Sequence, residues 1–207
     1  MLRHCGWLIV PLLLSRIVAP AGNAPSPSFP PFVAVMGCSN SKLIYDAYIY
    51  GSVRDAAWNG ATPGATLMRW TSAFTGFQQW ATFDQQLALN GQPSAVWWPV
   101  CLNANSAYEP AQTLDVAQQE FIDAYTLLRQ RVPTAVLYLT PTLGSQADCS
   151  ADNDILQVAL VDWAVGAGYA LRGPDIPPAS KPARDHCHFD AAKSTNVQAA
   201  AVAFLDQ

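Results

Sequence analysis

The chain has 207 residues, of which 51% are hydrophobic and 13% charged, and its formal charge is −4 at pH 7. Seven tryptophans and so few charges exclude a disordered chain, which could not bury enough apolar surface to fold. Eleven Lys and Arg against fifteen Asp and Glu leave no basic footprint for nucleic acid or for an anionic lipid surface.

In chain order, Arg3 and His4 form a short basic start. An apolar run from Trp7 to Leu14 follows, and Gly22-Asn23-Ala24 offers small residues at positions −3 and −1 of a cleavage site after Ala24. The run is too short to span a hydrocarbon layer of about 30 Å, and Pro11 and Arg16 interrupt it. Residues 1–24 are therefore expected to be a signal peptide, removed on export to the periplasm or the exterior. Its loss takes away Arg3 and Arg16 and moves the side-chain charge from −4 to −6. A Pro/Ser-rich leader, residues 25–31, precedes a single domain over 32–207, long enough for a sizeable core. No later segment reads as a membrane span, so no stable membrane association is expected after processing, and the domain is expected to be a monomer.

Within the domain, Phe32–Met36, Ala95–Val100 and Ala135–Leu139 read as buried strands. Each is short, apolar and bounded by Gly, Pro, Ser or Asn. The region Tyr45 to Trp70 is expected to hold a helix and a short strand near Ala57–Thr62. Gly76–Asn90, with Phe77, Trp80, Phe83 and Leu87 at spacings of three and four, reads as a helix closed by Asn90-Gly91. Thr113–Arg131 is the strongest helix, with Leu114, Ala117, Phe121, Ala124 and Leu128 on one face. Asp154–Ala167 repeats the pattern, Tyr169–Leu171 is a weaker strand, and Asp190–Leu205 is an alanine-rich last helix that Asp190 could cap. Strands alternating with helices imply an α/β fold, a three-layer α/β/α sandwich around a parallel sheet of about five strands. Sites in such sheets gather beyond the carboxyl ends of the strands. Trp97 and Trp98 lie within a strand and read as core, not as a sugar-binding platform.

Cys5 leaves with the signal peptide, so the mature chain keeps Cys38, Cys101, Cys149 and Cys187. An even number in an exported chain implies two disulfides, with three possible pairings. Cys101 and Cys149 each follow a predicted strand and are expected to pair. Cys38 would then bond Cys187.

Two strings carry chemistry. Gly37-Cys38-Ser39-Asn40 follows the first strand, where a Gly-x-Ser turn can hold a hydroxyl at the rim of the sheet. Asp185-His186-Cys187-His188 lies near the C-terminus, where Asp-x-x-His can bring a base and its orienting carboxylate to the same rim. Nucleophile, base and orienter are the parts needed for acyl transfer through a serine ester.

Both strings, with two others between them, resemble the SGNH (GDSL-type) hydrolases, a family of single-domain esterases and lipases with a flavodoxin-like sheet. Gly37-Cys38-Ser39 stands in place of Gly-Asp-Ser, with Cys where the family usually has Asp. Pro63-Gly64-Ala65-Thr66 fits the block whose glycine N–H binds an oxyanion, with Gly60 as the alternative. Asn103, after the third predicted strand, sits where the family has Gly-x-Asn-Asp, although that glycine and Asp are missing and Asn105 competes. The resemblance implies Ser39 as nucleophile, His188 as base and Asp185 as its orienter. It implies an oxyanion hole from the N–H groups of Ser39 and Gly64 and the Asn103 amide, and no cofactor or metal.

The activity so implied is a serine esterase acting on carboxylic esters. A small-molecule or carbohydrate ester with a short acyl group is favoured, because no long insertion could form a lid. His186 is the alternative base. A non-catalytic ligand- or carbohydrate-binding protein on the same fold is the competing reading, prompted by Cys38 and the stripped Asn103 block. A metal-dependent hydrolase built on residues 185–190 is a third, disfavoured by the lack of zinc-ligand spacing.

Overall fold

A computed structural model describes residues 33–73, 78–102, 112–142, 151–177 and 188–207, the side chains of 151–154 excepted. Five strands form one parallel sheet in the order β2-β1-β3-β4-β5: β1 Val33–Val35, β2 Ala57–Asn59, β3 Ala95–Val100, β4 Val136–Pro141 and β5 Leu171–Arg172. The helices are α1 Ser39–Gly51, α2 Gln79–Asn90, α3 Leu114–Arg131, α4 Ala151–Gly166 and α5 Thr195–Leu205, with a 3-10 turn at Leu67–Trp70. The expected fold class is the observed one. Among the described residues no helix is long and apolar enough to cross a membrane.

The inner strands β1, β3 and β4 are largely apolar on both faces because helices cover both, whereas the two residues of edge strand β5 are exposed. Side chains alternate along each strand, so Val33, Val35, Ala95 and Trp97 pack with α1 and α5. Ala34, Met36, Val96, Trp98 and Val100 pack on the opposite side with α2, α3 and α4. Trp97 and Trp98 are fully buried, one against Phe204 of α5 and the other stacked on Phe121 of α3. Both are core, as their place in a strand implies.

Pro99 sits inside β3, where a proline would ordinarily remove a ladder hydrogen bond. The register explains its tolerance. The Trp97 carbonyl accepts from Met36 N at 3.0 Å, so odd-numbered residues of β3 face β1, and β1 ends at Val35 opposite Trp97. The Pro99 nitrogen therefore points where no strand remains to be paired.

Helix α3 begins after Thr113, whose hydroxyl accepts from Val116 N at 3.4 Å. Asp115 in its first turn and Arg129 and Arg131 in its last suit the helix dipole. Two of the boundaries that differ from expectation have a visible cause. Strand β5 starts at Leu171 and not at Tyr169 because Tyr169 is spent closing α4. Its N–H bonds Ala164 O, Gly168 N–H bonds Val165 O, and Gly168 has φ +79°, which together make a Schellman cap.

Helix α5 starts at Thr195, with Ser194 in the capping position, so Asp190 does not cap it. Asp190 heads a separate turn, and its carbonyl accepts from Lys193 N and Ser194 N. Buried Ala191, Ser194, Val197 and Ala201 keep spacings of three and four through both turn and helix, which is why the pattern reads as one helix.

Candidate active site

The order 2-1-3-4-5 reverses winding direction between β1 and β3, and the crevice at their carboxyl ends is where such sheets place their ligands. Gly37 makes the turn out of β1. It has φ +126°, and a Cβ there would come within 2.2 Å of Ser41 Oγ and 2.7 Å of Pro99 O. Only glycine fits. Cys38 then occupies the N-cap of α1, and Ser39 is the first helical residue.

The cap is reciprocal. Cys38 N donates to Ser41 Oγ at 3.0 Å, and Asn40 N donates to Cys38 Sγ at 3.3 Å. Ser41 Oγ donates in turn to Pro99 O at 2.8 Å, tying the first turn of α1 to β3. Cysteine is not among the residues that ordinarily signal an N-cap, so nothing in the sequence shows that the helix begins at the serine. Ser41 is the residue the sequence reading missed. With cysteine at the cap and serine in place of Glu or Gln three positions on, no sequence signal marks it.

Ser39 is half-buried, and its Oγ lies 2.8 Å from His188 Nε2 across 149 residues of sequence. With the ring proton on Nδ1, the serine hydroxyl donates to Nε2, the polarity that general-base activation requires. His188 is placed by its neighbour. Phe189 is buried in the core against the α1/α5 face, and Ala191 is buried beyond it. Between them Asp190 bonds Lys193 Nζ at 3.0 Å, and Lys193 holds its carboxyl below the usual carboxylate range, with the N–H groups of Ala192 and Lys193 assisting.

The N–H of Ser39 sits at the N-terminus of a 13-residue helix, where backbone donors and the helix dipole favour negative charge. Gly60 and Gly64 are distinguished by what their N–H groups do. Gly60 is buried, and its N–H donates to Val35 O at 2.7 Å, so it is spent in the sheet. Gly64 is exposed in a turn with φ +78°, and among the described residues no acceptor is found for its N–H. The loop carrying it is held at both ends, by Thr62 N to Gly37 O at 2.9 Å and by Leu67 N to Cys101 O at 2.7 Å.

The disulfide expectations are corrected. Cys38 is bonded to Cys101, with Cα atoms 6.0 Å apart, so neither Cys38–Cys187 nor Cys101–Cys149 can form. The cause is strand order: β3 lies beside β1, Val35 opposite Trp97, and the turns that follow them meet. Asn103, Cys149, Asp185, His186 and Cys187 lie outside the described residues.

No protein-family model matches the sequence, and no curated protein does. Solved structures do resemble the fold. A GDSL-like lipase from Bacteroides thetaiotaomicron is 12% identical, with 85% of this chain and 88% of that one covered and a TM-score of 0.56. A carbohydrate esterase family 2 enzyme with a carbohydrate-binding domain, from Corynascus thermopiles (Myceliophthora fergusii), is 15% identical. It covers 90% of this chain and 69% of its own, with a TM-score of 0.58. A family two carbohydrate esterase from Clostridium thermocellum is 12% identical, with 86% of this chain and 64% of that one covered and a TM-score of 0.54. At such identities the likeness is one of fold. The chain has the SGNH-hydrolase fold.

Proposed function

We propose that the protein is a secreted serine esterase that hydrolyses carboxylic esters through an acyl-enzyme. The observation that carries this reading is the 2.8 Å approach of Ser39 Oγ to His188 Nε2 at the carboxyl edge of the sheet. His188 Nε2 takes the hydroxyl proton as Ser39 Oγ attacks the ester carbonyl. The tetrahedral oxyanion is met by the N–H groups of Ser39 and Gly64 and by the Asn103 amide. As the oxyanion collapses, the bond to the leaving alcohol breaks and His188 returns the proton to it. Water, deprotonated by the same nitrogen, then attacks the acyl-Ser39 carbonyl and releases the acid. Asp185 is assigned to hold the His188 tautomer and to stabilise the imidazolium. None of these steps calls for a cofactor.

The favoured substrates are short-acyl esters, including esters of carbohydrates. The family two carbohydrate esterases that share the fold make that class a reasonable first panel. Residues 1–24 are assigned as an export signal, and a disulfide beside the site suits an oxidising compartment. The mature protein is taken to act as a monomer.

The test is labelling with a fluorophosphonate together with turnover of p-nitrophenyl esters of increasing chain length. Ser39→Ala should abolish labelling and lower kcat/KM by at least about 10⁴-fold, and His188→Ala should do nearly the same, since the pair acts as a unit. Labelling at another residue, or turnover indifferent to Ser39→Ala, would refute the assignment.

A further inference from the structure

Three loops from three strands converge on one bond. The Cys38–Cys101 disulfide links the residue before Ser39 to the residue after β3, 63 positions away, across the crevice where the sheet reverses. Through its carbonyl, Cys101 also holds Leu67 N at 2.7 Å and so anchors the loop that carries Gly64. Gly37 O closes the circuit by accepting from Thr62 N at 2.9 Å. The two backbone donors assigned to the oxyanion thus belong to segments tied through the same cystine.

The first turn of α1 has a particular need for such a tie. Its cap acceptor is Cys38 Sγ, and sulfur is a weak acceptor compared with the oxygen of Ser, Asp or Asn. Hydrogen bonding to the cap therefore restrains the Ser39 N–H less than usual. A covalent bond to the residue after β3 adds a restraint that the Ser41 Oγ–Pro99 O hydrogen bond, further along α1, shares but cannot apply at Cys38 itself.

We infer that the Cys38–Cys101 disulfide is a positioning element of the oxyanion site, holding the Ser39 and Gly64 N–H groups in place before charge develops. This rests on the reading of Ser39 and His188 as nucleophile and base. Preorganised donors stabilise an oxyanion because they need no rearrangement when it forms, and their benefit falls on the transition state more than on bound substrate.

The experiment compares wild type with Cys38→Ser/Cys101→Ala, whose serine offers a better cap but no bond. With p-nitrophenyl acetate, kcat should fall by about 10- to 100-fold while KM changes little, the scale expected when reacting groups are misplaced by about an ångström. The Ki of a short alkylboronic acid, which forms a tetrahedral adduct on the serine, should rise in parallel with the loss of kcat/KM. A folded double variant with kcat within twofold of wild type overturns the inference.

If the double variant does not fold, wild type is opened with a phosphine reductant, and alkylation mapping identifies Cys38 and Cys101 as the thiols released. Loss of kcat at constant far-UV circular dichroism supports the inference. A kcat that survives reduction, or that falls only in step with the circular dichroism signal, overturns it. Absence of Ser39-dependent turnover in wild type takes down the esterase reading and this inference together, whereas an active wild type with an indifferent variant removes the inference alone.

Discussion

Gly37 bears the tightest local constraint near the candidate nucleophile. Its φ of +126° is a region L side chains rarely adopt, and an added Cβ would meet Ser41 Oγ and the Pro99 carbonyl well inside contact distance. Rotating the Ser41 hydroxyl away would break two buried hydrogen bonds and still leave the Ser41 Cβ at 2.9 Å, and the Pro99 carbonyl belongs to a central strand and cannot move. Gly37→Ala should therefore destabilise the fold by about 2–4 kcal/mol, summing the strained dihedral and the forced shift, as read from the midpoint of urea unfolding. Ser41→Ala removes the acceptor for Cys38 N and the donor to Pro99 O, both buried. The same measurement should show a cost of about 1–3 kcal/mol, the usual penalty for stranding a buried polar group. Its cost should be smaller than that of Gly37→Ala because no backbone has to move.

At the scale of elements, the turn between His188 and α5 carries the pH-sensitive contact. Asp190 is ion-paired to Lys193, and its carboxyl titrates below the usual range, chiefly through that hydrogen bond. A carboxylate whose folded value lies below its unfolded one adds stability above the unfolded value and loses it as the pH falls through the folded one. Lys193→Ala should raise the Asp190 titration midpoint, as followed by NMR of the carboxyl carbon. The stability difference between variant and parent should vanish in acid, once both carboxyls are protonated. Helix α3 was legible in the sequence because Leu114, Ala117, Phe121, Ala124 and Leu128 keep one apolar face, and the Thr113 cap and terminal charges seen in the structure agree with it. The start of α5 was not, because the turn at 190–193 keeps the helical spacing of buried residues while its hydrogen bonds do something else. The start of β5 was hidden for a similar reason, since a Schellman cap draws on the residue after its glycine.

For the whole molecule, non-reducing peptide mapping should recover a peptide joining Cys38 to Cys101, and two free thiols at those positions would contradict the fold's central tie. Closing a loop of 63 residues restricts the unfolded chain by about 4 kcal/mol on the chain-entropy estimate. Opening the bond should lower the urea midpoint accordingly, a stability effect separable from the kinetic one argued above.

By itself the sequence determined the alternation of strands and helices, the burial of the three inner strands β1, β3 and β4, and the serine and histidine that meet. Those properties depend on hydrophobic period and on short strings of residues, which are local. Which cysteines bond was decided only by the tertiary structure. Cystine formation needs Cα atoms within about 4.4–6.8 Å, and that proximity follows from β3 inserting beside β1, a choice of strand order that no local pattern records. The partner of Ser39 was suggested by order along the chain, but its 2.8 Å approach to His188 exists because Phe189 is buried on the α1/α5 face of the sheet.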